Sequence, residues 1–340
     1  MVDVKRSSSM RQVAQAANMS IATVSRALRD PESVSKRALA RVEEAAAAVG
    51  YTYNATAGDV LAGRSTVLGV IVPSVASTLF GQTLHALQDT AMDAQFSVMQ
   101  AVTNWEVGRE EKLLETMIQR RVHGLIMTGL SAKSQERVCD MVHDAGVRTV
   151  IIWEKPVDNG LSYVGIDNFE AARKATKFLI EQGHRRIGFI GGPGSMTPRS
   201  QHRCNGYCQA LEDHDLAIDR NIVLQRFPEL ANGREAMHHI MSVDNAPTAV
   251  FVASDILAIG ALRAAHELKL RVPEDVSILG FDNLEITGFQ QPPITTMNVP
   301  SYQIGALAAQ IALEERGLPP RHYCLDSELV LRESVGRPHR

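Results

Sequence analysis

The chain has 340 residues, of which 45% are hydrophobic and 21% are charged, and its formal net charge is -3 at pH 7. This composition is typical of an ordinary globular protein with two or three domains, and no run of about 18 apolar residues indicates a membrane span. The charge is unevenly divided, because residues 1–64 carry nine Lys and Arg against six Asp and Glu. The amino end is therefore the part of the chain that suits a polyanion such as DNA.

The amino terminus and the cysteines bear on location and metal binding. No apolar segment of the kind found in secretory signal peptides is present, so we expect a cytoplasmic protein. The four cysteines, Cys139, Cys204, Cys208 and Cys324, are scattered, which is typical of reduced thiols. Cys204 and Cys208 share a helix face, but no second Cys or His pair follows at zinc-finger spacing. We therefore expect no metal site.

A pair of short helices is predicted between Met10 and Leu28. Ser9 can cap the first helix, Asn18 tolerates the left-handed conformation of a tight turn, and Ser20 can cap the second helix. Such a pair is typical of a helix-turn-helix, whose second helix enters the major groove of DNA. A plain antiparallel helix pair is the alternative. The outward positions of the second helix are Ile21, Ala22, Ser25 and Arg26.

A third helix is predicted between Ser35, which can cap it, and Gly50, which ends it. The three helices make a compact DNA-binding head, which we place at residues 1–50. Residues 51–66 contain two glycines and small polar side chains. Isolated helices this short are unstable in water, so this segment is predicted to be a linker or a helix that forms against a partner surface.

From Val67 onward, apolar segments of strand length alternate with amphipathic helical segments. One series runs from residues 67–73 to residues 147–153, and a second runs from Tyr163 to residues 276–282. This alternation predicts parallel sheets covered by helices on both faces. The two series indicate two similar α/β lobes.

The carboxyl end of the chain is expected to complete both lobes. It contributes a helix near Tyr302–Arg316 and a strand near Ser327–Leu331. The core then covers residues 67–340. Its predicted lobes are about 67–164 with 296–326, and about 165–295 with 327–340.

The predicted strand ends carry a mixture of aromatic and polar side chains. Parallel sheets bind ligands at the carboxyl ends of their strands, and two facing lobes bring these ends to one cleft. Rings can stack on C–H groups, carboxylates accept from hydroxyls, and guanidinium groups hold hydroxyls or a carboxylate, as a sugar or sugar acid requires. A helix cap or a plain loop position is the alternative for each residue. The strand-end residues are Ser74, Phe80, Trp105, Trp153 with Glu154, Asn168, Arg199, Arg203, Ser254 with Asp255, and Asp282.

The sequence contains no recognisable enzyme motif. The glycine-rich turn at residues 188–196 does not reproduce G-x-G-x-x-G, as a nucleotide-dependent oxidoreductase would require, and no P-loop Lys-Ser/Thr follows it. G-x-S-x-G and H-E-x-x-H are also missing, and the adjacent His238 and His239 point to different faces of a helix. We therefore expect no catalytic residue, no cofactor and no enzyme activity.

Several strings resemble the lactose/purine-repressor family of bacterial transcription factors, and the likeness covers essentially the whole chain. They include MRQVAQAANMSIATVSRAL at residues 10–28, VGIDNFEAA at 164–172 and FVASDILAIGAL at 251–262. VGIDNFEAA, together with AGDVL at 57–61, is most similar to the gluconate-utilisation repressors. The resemblance implies a periplasmic-binding-protein-like core and a homodimer or tetramer whose two heads bind a near-palindromic operator.

The resemblance also implies roles in the head and the linker. Arg26 is the expected base-reading residue, because a guanidinium can bridge O6 and N7 of guanine. Ser20 and Thr23 are expected to hold the recognition helix on phosphates. Residues 54–63 match a hinge helix that folds on the operator, with Val60 as the wedge in the minor groove. The expected DNA-contacting residues are Ser20, Ile21, Ala22, Thr23, Ser25, Arg26, Asn54 and Val60.

In the core, the resemblance implies a small effector bound between the lobes. Arg199 lies one helical turn before Arg203 and adds a second cation. Two arginines favour a sugar acid such as gluconate or ketogluconate over a neutral sugar. A regulator that responds to a neutral sugar or a purine is the alternative. A solute-binding protein, which shares the lobes, would have no use for residues 1–64. The ligand positions implied by the family are Ser74, Phe80, Asn168, Arg203, Ser254 and Asp282.

Overall fold

The computed structural model describes residues 9–51, 65–75, 80–106, 108–128 and 134–338. The chain divides into two compact units, Met1–Thr66 and Val67–Arg340. None of the described helices is long and apolar enough to cross a membrane.

The first unit is a three-helix head. Its helices are α1 (Met10–Ala16), α2 (Ile21–Arg29) and α3 (Lys36–Ala48), with a 3₁₀ turn at Pro31–Ser33. The hydroxyl of Ser20 accepts from the N–H of Thr23 at 3.1 Å, and that of Ser35 accepts from the N–H of Ala38 at 3.3 Å. Asn18 adopts a φ of 52° between α1 and α2. The predicted caps of α2 and α3 and the predicted left-handed turn are therefore present.

Small apolar side chains form the core of the head. The buried residues are Val13, Ala14, Ala17, Val24, Ala27, Val42, Ala45 and Ala46. Arg41 on α3 also donates from Nη2 to the carbonyl oxygen of Ala17 at 2.8 Å. This contact satisfies a carbonyl at the carboxyl end of α1, and so ties α3 to the turn that sets the angle between α1 and α2.

The described part of the second unit contains twelve strands and eight helices. The strands are β1 (Val67–Val72), β2 (Ser97–Val102), β3 (Gly124–Thr128), β4 (Arg148–Ile152), β5 (Ser162–Ile166), β6 (Ile187–Gly191), β7 (Val223–Gln225), β8 (Ala249–Val252), β9 (Ser277–Asp282), β10 (Thr295–Asn298), β11 (His322–Leu325) and β12 (Glu328–Val330). The helices are α4 (Gly81–Asp93), α5 (Arg109–Gln119), α6 (Gln135–Asp144), α7 (Asn168–Glu181), α8 (Pro198–Glu212), α9 (Leu230–Ser242), α10 (Asp255–Glu267) and α11 (Ser301–Leu313).

These strands form two six-stranded sheets, as the alternating pattern predicted. The first has the order β11-β5-β4-β3-β1-β2, and the second has the order β12-β10-β9-β8-β6-β7. Every pairing is parallel except that of β10 with β12. All residues of β3 and β9 are buried, because helices cover both faces of each sheet, and this explains the continuous apolar runs.

The chain crosses between the two sheets three times, after β5, after β10 and between β11 and β12. The strand at Tyr163 therefore belongs to the first sheet, and not to the second series in which the sequence analysis placed it. Residues 165–166 were assigned to the second lobe but belong to the first sheet, and residues 296–298 were assigned to the first lobe but belong to the second sheet. β10 and β11 were not predicted, since both are four-residue strands of mixed polarity.

Gly206 lies where α8 packs closely against α7. A Cβ at this position would lie 2.2 Å from the carbonyl oxygen of Phe169. We expect Gly206→Ala to push the two helices apart and to lower the free energy of unfolding by about 1–3 kcal/mol, as measured by urea denaturation. Gly81→Ala is the control, because nothing lies within 4 Å of its added Cβ. Equal denaturation midpoints for the two variants would contradict this prediction.

Candidate functional sites

The second helix of the head presents a face of polar, basic and apolar side chains to solvent. At the amino end of α2, the hydroxyl groups of Ser20 and Thr23 are hydrogen-bonded to each other, with their oxygens 2.8 Å apart. Ile21 is 45% exposed, and Arg26 is also exposed. The side chains on the exposed or half-buried face are Ser20, Ile21, Ala22, Thr23, Ser25 and Arg26. The predicted hinge residues Asn54 and Val60 lie outside the described residues.

In the core, α8 carries two buried arginines one turn apart. The hydroxyl of Thr197 accepts from the N–H of Ser200 at the start of this helix, so Arg199 lies in its first turn. Arg199 and Arg203 are 4% and 5% exposed. Because their spacing is four residues, both side chains project from the same face of α8. Burial lowers the pKa of each guanidinium, and nearby carboxylates oppose this effect.

Arg203 is held by contacts from several elements. Its Nε donates to Oδ1 of Asn168 at 2.9 Å, and its Nη1 donates to the carbonyl oxygen of Ala253 at 2.8 Å. The same Nη1 donates to Oδ1 of Asp282 at 3.3 Å. The guanidinium carbon lies 3.8 Å from the centroid of the Phe281 ring, within the range of a cation–π interaction. The position of Arg203 is therefore fixed by the second sheet and by α7.

Arg199 faces Glu154, which follows β4 of the first sheet. The backbone N–H of Arg199 donates to Oε1 of Glu154 at 3.2 Å. Its Nη1 lies 3.6 Å from the same oxygen, which is within ion-pair range but too long for a hydrogen bond. Burial raises the pKa of Glu154 to about 7, and the charges of Arg199 and Arg203 oppose this rise.

One aromatic ring of the first lobe lies beside Arg199, and a second ring packs against the first. Its guanidinium carbon is 5.7 Å from the centroid of the Phe80 ring, and Phe80 packs edge-on against Trp153 with centroids 5.3 Å apart. Nε1 of Trp153 donates to Oγ1 of Thr83 at 3.2 Å, and its carbonyl oxygen accepts from Nδ2 of Asn168 at 2.9 Å. Asn168 therefore connects the first lobe to Arg203.

Three buried side-chain atoms of the described residues have no hydrogen-bond partner: Arg199 Nη1, Ser254 Oγ and Asp282 Oδ2. All three belong to residues that the sequence analysis assigned to the ligand. Since buried polar atoms are rarely left unpaired, these atoms mark a place where a ligand can bind. They offer a donor, a hydroxyl and an acceptor. Burial raises the pKa of Asp282, although Arg203 and Arg199 oppose this.

Backbone geometry marks the same region. Trp153 has a φ of 71° and Asp282 has a φ of 116°, both in the left-handed region that side chains other than glycine rarely adopt. Such conformations cluster at ligand sites, where the surrounding contacts hold them. Each residue stands at the carboxyl end of a buried strand, which is where the sequence predicted a cleft.

The structure thus brings together seven of the nine predicted ligand residues: Phe80, Trp153, Asn168, Arg199, Arg203, Ser254 and Asp282. Ser74 and Trp105 are half-buried on the loops after β1 and β2. No hydrogen bond or ring contact joins them to this cluster within the described parts of the chain.

Glu154 and Asp255 stand at predicted strand ends but are not among the predicted ligand residues. Asp255 accepts from the hydroxyl of Thr296 and from the N–H of Leu284, each at 2.7 Å, and so anchors the loop after β9. Burial raises its pKa. An acidic residue next to a buried apolar strand was the available signal, but its partners lie far away in sequence. In the described part of the chain, no three His, Cys, Asp or Glu side chains are arranged to hold a metal ion.

The pKa of Glu154 predicts a pH-dependent stability. It rises from 4.5 to about 7 on folding, so the group stabilises the fold fully below about pH 4.5 and loses this contribution as the pH rises through 7. The loss is about 3 kcal/mol at 1.36 kcal/mol per unit. Urea denaturation between about pH 5 and pH 8 should show a decline in wild type that is smaller by about 3 kcal/mol in Glu154→Gln. Part of the decline remains in this variant, because burial also raises the pKa of Asp255 and of Asp282. Glu181→Gln, at an exposed position, should retain the full decline. Parallel profiles for all three proteins would contradict the prediction.

Family models of known proteins match part of each of the two units. The family model described as bacterial regulatory proteins, lacI family, matches residues 9–54, and a periplasmic binding protein-like domain matches residues 176–335. The HTH-type transcriptional repressor CytR of Escherichia coli (strain K12) is 34% identical over 337 residues, covering 96% of each chain.

Solved structures give the same picture. The complex of the transcriptional regulator CelR with cellobiose has a TM-score of 0.70 at 28% identity, covering 96% of this chain and 99% of that one. The lac repressor dimer bound to operator and the anti-inducer ONPF has a TM-score of 0.88 at 23% identity, covering 97% and 100%. The second likeness concerns the fold alone.

A helix-turn-helix head followed by a two-lobed periplasmic-binding-protein-like core defines a class of ligand-regulated DNA-binding proteins. The chain belongs to the LacI family of bacterial transcriptional regulators. It is a DNA-binding repressor regulated by a ligand, in a family of regulators rather than enzymes. The predicted family is confirmed, and the closer likeness to gluconate-utilisation repressors stays a prediction.

Proposed function

We propose that this repressor binds a near-palindromic operator as a homodimer and responds to a neutral polyhydroxylated effector, a sugar or a nucleoside, held between its two lobes. The observation that carries the proposal is the set of three buried unpaired atoms on Arg199, Ser254 and Asp282. A ligand hydroxyl can accept from Arg199 Nη1 and another can donate to Asp282 Oδ2. Phe80 and Trp153 offer apolar surface beside them.

The charges of the cleft favour a neutral ligand. Nη1 of Arg199 lies 3.6 Å from Glu154, and Nη1 of Arg203 lies 3.3 Å from Asp282. Each arginine that had favoured a sugar acid is thus matched by a buried carboxylate. A ligand carboxylate would add an unmatched charge, which is costly in a buried site. The cellobiose bound by the similar CelR also supports a sugar. A sugar acid such as gluconate is the second candidate, favoured by the free donor on Arg199.

For DNA binding, the exposed face of α2 supports the proposed contacts. Arg26 reads a guanine, and Ile21 and Ala22 contact thymine methyl groups. Closure of the lobes around the effector changes the arrangement of the two heads on the operator, and requires different effector affinities in the two states.

An exposed apolar surface supports the homodimer. Ile286, Phe289 and Tyr302 are exposed beside a groove of about 1060 Å³ that also contains Gln82. Exposed apolar groups clustered in this way commonly mark a protein interface. Sedimentation of the full chain at several concentrations measures the oligomeric state, and a monomer at all concentrations would refute this part of the proposal.

A mobility-shift assay with genomic fragments near the gene tests DNA binding. The full chain should give a specific, salt-sensitive shift, and the absence of any such shift with and without ligands would overturn the repressor assignment. A thermal-shift screen tests the effector class with matched pairs, such as glucose with glucuronate and ribose with ribose 5-phosphate, together with nucleosides and gluconate. Tighter binding of the acid in every responding pair would refute the neutral effector.

A further inference from the structure

We propose that Glu154 determines the charge of the ligand that the cleft accepts. Its carboxylate occupies the anion position formed by Arg199 and the amino end of α8, so that neutral ligands enter and carboxylates or phosphates are excluded. The inference deepens the proposed function, since it concerns the same cleft.

The geometry is that of a bound anion supplied by the protein itself. Oε1 of Glu154 accepts the backbone N–H of Arg199 at 3.2 Å, in the first turn of α8, where the helix dipole favours negative charge. The same oxygen lies 3.6 Å from Nη1 of Arg199. Glu154 is 5% exposed and follows a strand of the first sheet, whereas Arg199 belongs to a helix on the second. The ion pair therefore also joins the two lobes.

Arg199 can still donate a hydrogen bond to a ligand after it has paired with Glu154. Its Nη1 has no hydrogen-bond partner and is buried, so it can still donate to a neutral oxygen. Its charge, however, is balanced by Glu154 when that carboxyl group is ionised, which is at pH values above its pKa of about 7. A site that offers a hydrogen-bond donor but no excess positive charge favours a sugar hydroxyl over a carboxylate.

The other charged groups around Glu154 provide no spare cation within the described residues. Arg203 is paired with Asp282 at 3.3 Å, and the neighbouring Lys155 is paired with Asp167 at 2.6 Å. Removal of Glu154 would therefore leave the charge of Arg199 without a partner.

Chemical rescue of Glu154→Ala in the full chain tests the proposal whatever the identity of the effector. The measurement is made at about pH 8, where the wild-type carboxyl group, with its pKa of about 7, is ionised. The variant should melt about 5 °C below wild type, because a buried cation loses its counterion. Sodium formate should restore at least half of this loss in a saturable manner, by placing a carboxylate beside Arg199. Formamide, which has a similar shape and no charge, should not. Sodium chloride at the same ionic strength is the salt control.

Two variants make the result specific. Glu181→Ala removes an exposed carboxylate that lies 3.6 Å from Lys177, and should show no saturable response to formate. Glu154→Ala combined with Arg199→Met should also lose the response. An equal response to formate in wild type, in Glu181→Ala or in the double variant would overturn the proposal.

If Glu154→Ala does not fold, Glu154→Gln provides the second measurement, since it keeps the size of the side chain and removes the charge. Gluconate should then raise the melting temperature of Glu154→Gln but not of wild type, and equal shifts would overturn the proposal. The operator mobility shift remains a separate readout. Its failure would refute the proposed function and leave the formate result unaffected, because formate rescue requires neither operator nor effector.

Discussion

Replacing Arg203 with methionine is expected to abolish the effector response and to lower the free energy of unfolding of the core by about 3–5 kcal/mol. The methionine preserves most of the apolar bulk over Phe281 but removes the charge. Asp282 would then remain buried with no cation at hydrogen-bond distance, and its Oδ2 is already without a partner. Urea denaturation measures the loss, and a thermal-shift titration with a responding ligand measures the response.

A second substitution separates the charge from the packing. Asp282→Asn removes the unpaired charge, so the double variant with Arg203→Met should be more stable than Arg203→Met alone. It should still fail to respond to ligand, since both side chains belong to the cleft. Arg263→Met is the matched control, because Arg263 also pairs with a carboxylate, at 2.9 Å from Glu267, but its side chain is 71% exposed. Surface pairs of this kind contribute about 0–1 kcal/mol. Similar losses in Arg203→Met and Arg263→Met would contradict the assigned role.

The parts of the fold that were predictable from sequence are those determined by local chemistry. Ser20 and Ser35 cap helices because their hydroxyls reach N–H groups three residues later, and Asn18 tolerates the turn. The buried strands were visible as apolar runs, since both faces of each sheet are covered. Membership of a sheet is not local. The strand at Tyr163 joins the first sheet only because the chain crosses to the second lobe after it, and no side chain near it signals that crossing.

In the candidate site, too, the features set by local sequence were predictable and the contacts between distant residues were not. Strand ends identified Trp153, Arg203 and Asp282 as neighbours of one cleft, since parallel strands end at one edge. The pairing of Arg199 with Glu154 joins residues 45 positions apart on different lobes, and only the packed structure brings them together. The charge balance of the cleft depends on this pairing. A count of arginines in the sequence therefore favoured an acidic ligand, whereas the packed site favours a neutral one.

Replacing Arg26 with alanine is expected to weaken operator binding by about 5- to 150-fold for each head, which corresponds to the roughly 1–3 kcal/mol of one bidentate contact to guanine. A dimer with two heads should lose about the square of this factor. The side chain is exposed on α2, and the neighbouring Val24 and Ala27 are buried, so the fold of the head should be preserved. Mobility shifts with an identified operator fragment measure the loss, and circular dichroism checks the fold.

Comparison of operator with non-operator DNA separates the loss of base reading from the loss of one positive charge. Binding of the Arg26→Ala protein to non-operator DNA should decline only modestly, with a salt slope reduced by about one per head, because that binding depends on phosphates alone. Arg37→Ala removes the same charge from an exposed position on α3, and should weaken operator and non-operator DNA to similar extents. If Arg26→Ala behaved in the same way as Arg37→Ala, Arg26 would be a phosphate contact, and sequence reading would have to come from Ile21, Ala22 and the shape of the operator.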